Sequence, residues 1–141
     1  MSYTTRQIYN YDFYVASDTT LVKDIATIKQ NPVTYTKAMG FTLRNDINPN
    51  SRFRFKFDIR STGAPGAHIA YGKIYRNGVA IGTEQTDNTS AFVSKSEDIN
   101  IGGWNIGDTV DLYTKTSNVA LEVWVKDFEI CGTPYKWEIT K

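Results

Sequence analysis

The stretch from residue 51 to residue 81, SRFRFKFDIRSTGAPGAHIAYGKIYRNGVAI, decides the fold. In its first part, large apolar side chains alternate strictly with polar ones; the apolar set is Phe53, Phe55, Phe57 and Ile59. A period of two residues is typical of a β-strand with one buried face and one face in water. Because each such side chain gains roughly 1.5–3 kcal/mol on leaving water, we expect this strand to form the centre of the core.

The same stretch ends in a hairpin signal, the pair Asn77-Gly78 between two apolar-rich runs. A type I′ turn requires positive φ at both central residues, and Asn and Gly adopt that conformation most easily. The sequence therefore predicts a hairpin with arms at residues 68–75 and 79–84.

Alternation predicts further short strands along the rest of the chain. They cover residues 7–15, 20–29, 33–43, 91–101, 109–115, 119–130 and 135–139. The run 20–29 also fits two turns of helix, but its β-branched residues favour a strand. Bulges are predicted at Gly40 and at Lys126-Asp127, where the pattern slips. In the strand 119–130, Val119 and Leu121 are predicted to face inward.

Eight or nine short strands without a long helix predict an all-β fold, an antiparallel β-sandwich of jelly-roll-like type. The 141 residues suit one domain spanning residues 1–141. Both faces of the first predicted strand carry aromatic side chains, including Tyr9 and Tyr11. Residues 1–16 are therefore expected to form an N-terminal arm, or a strand exchanged between subunits.

The composition of the chain argues against several classes of function. The net charge of +1 provides no broad positive field, so no nucleic-acid partner is expected. No secretory signal and no membrane insertion are expected, because apolar runs are short. With one histidine and one cysteine, a zinc site is not predicted. Calcium at Asp87-Asn88 or Asp108 is the less favoured reading of ordinary turn residues. No metal or cofactor is predicted.

Catalysis is not expected either. His68 is the single candidate base, and its place at the start of a strand favours a surface or edge position. Cys131 follows an apolar run and is predicted to be a buried, inert thiol. The carboxylate pairs Glu97-Asp98 and Asp127/Glu129 could serve glycoside hydrolysis, but a solvated strand face explains them equally well.

Aromatic residues outside the core face are the candidate contact residues. Trp124 lies on the outward side of its strand and, with Tyr9 and Tyr11, is predicted to form an oligomer interface. Trp104, in a glycine-rich loop, either closes the end of the sandwich or stacks on a ligand or partner. Tyr71 and Tyr113 are predicted ligand or partner contacts.

A row of cations lies on the outer side of the central strand: Arg52, Arg54, Lys56 and Arg60. Such a row is usually a solvated face that prevents edge-to-edge pairing. A contact with an acidic partner surface is the alternative.

Three segments carry a resemblance to known proteins: KIYRNGVAIGTEQT, SEDINIGGWNIGDTVDLYTKT and VWVKDFEI. The region from Arg52 to Cys131 resembles small β-sandwich proteins on the virion surfaces of phages and archaeal viruses, of decoration, turret or fibre-knob type. It is more distantly similar to the trimeric heads of C1q and tumour necrosis factor. The resemblance implies an oligomeric, non-catalytic surface module.

The sequence therefore predicts a non-catalytic structural protein on the surface of a virion or similar assembly, or in the host cytoplasm during assembly. Its expected partners are further copies of itself, with a trimer favoured, and other capsid or surface proteins. The alternative is a lectin-like carbohydrate-binding module, with glycans as partners.

Overall fold

A computed structural model describes residues 4–7, 17–44, 49–63, 66–133 and 137–140. Within these residues the secondary structure is β-strand, with turns and loops between the strands. The strands are β1 (Thr4–Gln7), β2 (Thr20–Asp24), β3 (Ile28–Gln30), β4 (Thr36–Thr42), β5 (Phe53–Ser61), β6 (Ala70–Arg76), β7 (Val79–Ala80), β8 (Gln85–Asp87), β9 (Val93–Ile99), β10 (Thr109–Thr116), β11 (Val123–Cys131) and β12 (Trp137–Thr140). No helix long and apolar enough to cross a membrane occurs in the described part of the chain.

Two five-stranded antiparallel sheets make up the sandwich. In the first, named the β10 sheet, the order is β4-β10-β6-β7, and β8 also pairs with β6. In the second, named the β5 sheet, the order is β2-β11-β5-β9, and β3 also pairs with β11. Strands β1 and β12 pair with each other. The predicted fold class, an all-β antiparallel β-sandwich, is confirmed. There are more strands than predicted, in part because the run 20–29 divides into β2 and β3 and because β8 was not predicted.

The central strand β5 behaves as its alternation predicts. Phe53, Phe55, Phe57 and Ile59 are each at most 3% exposed, while the residues between them are half-buried on the outer face. The core is shared by both sheets, because side chains of β10 and β6 such as Leu112 and Ile74 belong to the same buried cluster. At Gly72 a β-carbon would lie 2.9 Å from the Phe57 ring. The close approach of the two sheets at that point therefore requires glycine.

The hairpin at Asn77-Gly78 is confirmed, with φ angles of 50° and 80° at its two central residues. Its second arm is shorter than predicted, since β7 contains two residues. The backbone N–H groups of Ile81 and Gly82 both donate to the carbonyl of Ile74, so the chain leaves the ladder there. Pairing with β6 resumes in β8.

One of the two predicted bulges is confirmed. The register between β11 and β5 shifts between Lys126 and Glu129, and Asp127 has a φ of 53°. The bulge predicted at Gly40 is wrong: the shift in β4 falls between Met39 and Lys37, opposite Leu112 and Tyr113. A β-carbon at Gly40 would overlap the carboxylate of Asp111, so this glycine makes room for a side chain.

The inward placement of Val119 and Leu121 is wrong. Val119 is 61% exposed, and both residues precede β11 in a turn. The side chain of Asn118 accepts a hydrogen bond from the backbone N–H of Ala120, and the Asn118 carbonyl accepts one from Leu121. An Asn side chain that bonds its own backbone two residues on favours a turn over a strand.

The predicted oligomer-interface residues Tyr9 and Tyr11 lie outside the described residues. Exchange of the N-terminal segment between subunits therefore stays a prediction.

Candidate functional site

Trp104 is a core residue. It is 1% exposed, its ring lies 5.1 Å from that of Phe53, and its indole N–H donates to the carbonyls of Ser51 and Ile101 at 3.1 Å each. The prediction that Trp104 contacts a ligand or partner is wrong, because a buried ring cannot present a face to one. The alternative, a ring that closes the end of the sandwich, agrees with this position.

An ion pair covers the buried tryptophan. The guanidinium of Arg76 lies 4.3 Å over the Trp104 ring and donates to the Asp108 carboxylate at 2.8 and 3.1 Å. Asp108 also accepts bonds from the Asn77 side chain and the Asn105 backbone N–H, both at 2.9 Å. Burial alone would raise the pKa of Asp108, but these hydrogen bonds and the Arg76 charge outweigh it and lower the pKa. Asp108 therefore acts as a structural carboxylate.

The two single-copy residues that nucleophilic chemistry would need are both buried. The surface or edge position predicted for His68 is wrong: it is 3% exposed, and its Nε2 accepts the backbone N–H of Thr62. Cys131 is buried as predicted. Burial and the neighbouring Glu129 raise the pKa of the Cys131 thiol to about 11. A protonated thiol that donates to Glu129 is a poor nucleophile.

Several acidic residues in the described part of the chain already accept hydrogen bonds from protein groups or pair with cations. No group of three or more His, Cys, Asp or Glu residues there could hold a metal ion. Glu97 accepts from the backbone N–H and hydroxyl of Thr83, and Asp98 pairs with Arg54 at 2.6 Å. Asp87 accepts from the backbone and hydroxyl of Thr89.

Asp127 and Glu129 line a cleft of about 460 Å³ on the outside of the β5 sheet, beside the β11 bulge. Burial alone would raise the pKa of Glu129, but hydrogen bonds from Thr20 and Cys131 and the Lys23 ammonium outweigh it and lower the pKa. A glycosidase acid requires the opposite shift. These contacts give no support to the hydrolytic role considered for this pair.

The outer face of the β10 sheet carries a cluster of tyrosines. Buried Ala70, Gly72 and Ile74 face the core, so the residues between them on β6 face outward. The same alternation places the odd-numbered residues of β10 on the outer face. We name this surface the tyrosine face and define it by Tyr35, Tyr71, Tyr75 and Tyr113.

The rings of the tyrosine face contact one another. Tyr75 and Tyr113 are diagonal neighbours on β6 and β10, and their rings stack with 3.9 Å between centroids and 10° between planes. Tyr35 enters from the segment before β4, and its ring lies 6.1 Å from that of Tyr75. Stacked rings have little freedom to move, so this cluster is a pre-organised surface.

Charged groups are interleaved with these rings. The ammonium of Lys115 lies 4.7 Å from the Tyr71 ring and 4.8 Å from the Tyr35 ring, and Lys73 also lies 4.8 Å from the Tyr35 ring. Glu84 accepts the hydroxyl of Tyr35 at 2.6 Å. Burial, and then the Glu84 carboxylate, raise the pKa of Tyr35, so its hydroxyl stays a donor.

Three phenol groups on this face keep their hydrogen-bonding capacity. The hydroxyls of Tyr71, Tyr75 and Tyr113 form no hydrogen bond with a protein group in the part of the chain that is described, unlike that of Tyr35. Each half-buried ring therefore presents a donor and acceptor to whatever contacts the face.

The structure brings two predicted contact residues, Tyr71 and Tyr113, onto one surface. Tyr35 was not singled out, because the sequence places it inside the predicted strand 33–43. In the structure it precedes β4, and its ring reaches Tyr75 on β6, two strands away in the sheet.

Trp124 lies on the opposite side of the sandwich. It is half-buried on the outer face of the β5 sheet, with Lys29 4.0 Å and Arg60 4.2 Å from its ring. Its predicted role in an oligomer interface stays a prediction. The predicted basic strand face is partly neutralised, since Arg54 and Lys56 both pair with Asp18 at 2.8 and 2.7 Å.

Comparisons with known proteins return structural likeness alone. No protein-family model matches the chain, and no curated protein sequence matches it. Among solved structures, the chain is similar to the EclA C-terminal domain, a sugar-binding protein, at 12% identity and a TM-score of 0.45, over 82% of this chain and 78% of that one. It is also similar to Family 16 Carbohydrate Binding Module-2, at 11% identity and a TM-score of 0.42, over 80% and 74%.

Proposed function

We propose that this protein is a non-catalytic binding module that recognises a carbohydrate on its tyrosine face. The observation that carries the proposal is the stack of half-buried tyrosines whose hydroxyls have no protein partner in the described chain. A sugar presents apolar C–H groups and a dense set of hydroxyls together. Tyrosine matches both, because its ring supplies apolar area and its hydroxyl both donates and accepts.

The charged groups around the rings support the same ligand class. Lys73 and Lys115 each provide an ammonium beside the Tyr35 ring, and Glu84 provides a carboxylate. These groups can donate to and accept from sugar hydroxyls, which fixes the orientation of a ligand on an otherwise apolar surface. Their positions beside the rings bring apolar and polar contacts within one small area.

Replacing either Tyr71 or Tyr113 by alanine is expected to weaken sugar binding strongly. Tyr71→Ala and Tyr113→Ala should each raise the dissociation constant for the bound sugar by at least about tenfold, since aromatic anchors carry a large share of such binding energy. A glycan array with the wild-type protein would identify the ligand, and isothermal titration calorimetry would measure the change. Tyr71→Phe and Tyr113→Phe would separate the hydroxyl from the ring.

Trp124→Ala is the matched control, because it removes a half-buried aromatic residue from the opposite sheet. It is expected to leave sugar affinity within about twofold of wild type. Absence of binding across a broad glycan array would contradict the proposal. So would equal losses of affinity in Trp124→Ala and the two tyrosine variants.

The virion-surface hypothesis remains the second candidate. Its specific basis is Trp124, an outward aromatic residue whose indole N–H reaches a carboxylate of its own chain, Glu122, at 3.4 Å. A homo-oligomer that uses this ring would bury it against a second copy. Light scattering on the wild-type protein and on Trp124→Ala would show whether an assembly exists and depends on the ring.

A further inference from the structure

A second surface, on the opposite sheet from the tyrosine face, has its own chemistry. Four side chains form a line across adjacent strands: Lys29 on β3, Trp124 on β11, Arg60 on β5 and Phe92 just before β9. Trp124 is in register with both Lys29 and Arg60. Cations and aromatic rings therefore alternate along this line, which we name the cation–aromatic row; Lys126 joins it beside Phe92, with its ammonium 4.5 Å from that ring.

The cations of the row have no ion-pair partner among the residues that the structure describes. Elsewhere on the outside of the β5 sheet, Arg54, Lys56 and Lys23 each pair with a carboxylate. Lys29, Arg60 and Lys126 form no ion pair with any residue that the structure describes, and their charged groups lie over the rings of Trp124 and Phe92. On this sheet surface Arg54, Lys56 and Lys23 are thus neutralised by carboxylates, while the cations of the row have no carboxylate within ion-pair distance among the described residues.

Two carboxylates near the row already accept hydrogen bonds. Glu122 accepts the indole N–H of Trp124 at 3.4 Å, and Asp58 accepts the hydroxyl of Ser94 at 2.7 Å. Lys29, Arg60 and Lys126 therefore have no carboxylate within ion-pair distance in the described part of the chain. The nitrogen atoms of the cations keep donors that an anionic ligand could use.

The placement of the cations restricts what kind of anion fits. Lys29 and Arg60 belong to the strands on either side of β11, so they approach the Trp124 ring from opposite sides. Its two faces are then covered, and an unstacked nucleic-acid base, which binds by stacking on such faces, finds no platform.

We infer that the cation–aromatic row binds an acidic polysaccharide, a linear polymer whose sugar units carry carboxylates. The line of the row matches a linear ligand: Lys29 and Arg60 are two strands apart, about 10 Å. Lys126 lies on β11, two residues after Trp124. The carboxylates would accept charge-assisted hydrogen bonds from these cations. The inference does not rest on the tyrosine face, which lies on the other sheet.

The test uses polygalacturonate and the same polymer with its carboxylates methyl-esterified, in affinity electrophoresis at low ionic strength. Wild-type protein is expected to be retarded by polygalacturonate and not by the ester. The double variant Arg60→Gln/Lys126→Gln should weaken binding by at least about tenfold. Retardation should fade as salt is raised, because exposed charges are screened.

The control is Lys23→Gln/Lys37→Gln. It also removes two positive charges, but from exposed lysines that form ion pairs and lie away from the row. It is expected to bind within about twofold of wild type. Circular dichroism and thermal unfolding would confirm that both double variants fold.

Four results would overturn the inference: no retardation of the wild type, equal retardation by the esterified polymer, equal losses in the two double variants, or equal affinity for poly-glutamate. The last would reduce the row to a surface for any polyanion. Tyr71→Ala should bind polygalacturonate normally, so failure of the tyrosine face and failure of the row are distinguishable.

Discussion

Phe55→Ala is expected to lower the free energy of unfolding by about 3–5 kcal/mol, since a large buried side chain is lost and a cavity is left. Phe55 is 0% exposed, its ring packs edge-on against Phe53 at 6.2 Å, and its strand pairs on both sides, with β11 and β9. Neighbours held in ladders on both sides cannot collapse into the space. Urea denaturation followed by circular dichroism would measure the loss.

Ser96→Ala serves as the control for Phe55→Ala. Ser96 is an exposed residue of β9 in register with Lys56, on the outer side of the same sheet. Its replacement should change stability by no more than about 0.5 kcal/mol. A loss below about 1 kcal/mol for Phe55→Ala would contradict the central position of β5, because buried Phe-to-Ala changes of that size are rare.

Asp108→Ala is expected to destabilise the fold by about 3–5 kcal/mol, the loss seen when one partner of a buried ion pair is removed. Asp108 is 7% exposed and accepts from Arg76, Asn77 and Asn105. Without it the Arg76 guanidinium has no counter-charge, and the Asn77-Gly78 turn loses a contact to the strand that follows Asp108. Thermal unfolding with a reversible baseline would measure the change.

The pH dependence of Asp108→Ala follows from the lowered pKa of Asp108 in the folded state. A carboxylate with a depressed pKa contributes stability above its unfolded pKa and loses that contribution as pH falls through its folded pKa. The gap in unfolding free energy between wild type and Asp108→Ala should therefore be full at neutral pH and shrink in acid. Asp98→Ala is the control: its exposed pair with Arg54 should contribute at most about 1 kcal/mol. A gap independent of pH would contradict the assignment.

Alternation predicted the parts of the fold in which burial repeats every second residue. The central strand from Phe53 to Ile59, the inward residues Val110 and Leu112, and the β11 bulge were all readable in this way. Turn chemistry was equally informative at Asn77-Gly78, where positive φ is a property of the residues themselves.

Features that depend on neighbours distant in sequence were not predictable. Trp104 stands in a glycine-rich loop, and nothing local shows that Phe53 and Arg76 enclose it. Gly40 was taken for a bulge because the carboxylate that fills its space comes from another strand, at Asp111.

Only part of the tyrosine face was predictable from the sequence, because the face also depends on which strands are neighbours. Tyr71 and Tyr113 each alternate with buried residues, which marks them as outward. That their strands are neighbours in one sheet, and that Tyr35 crosses to meet them, depends on the sheet order. Sequence patterns of single strands carry no information about which strands pair.

The extra residue in β11 has a consequence for how the chain could change in length. With Asp127 removed, Val125, Phe128 and Ile130 would fall into uninterrupted alternation, so the same side chains would still face the interior. Asp127 is thus dispensable for the hydrophobic interior, yet it lines the cleft outside the β5 sheet. A chain with or without a residue at this position would bury the same side chains of β11. The two chains would differ only in the shape of the outer surface of the β5 sheet.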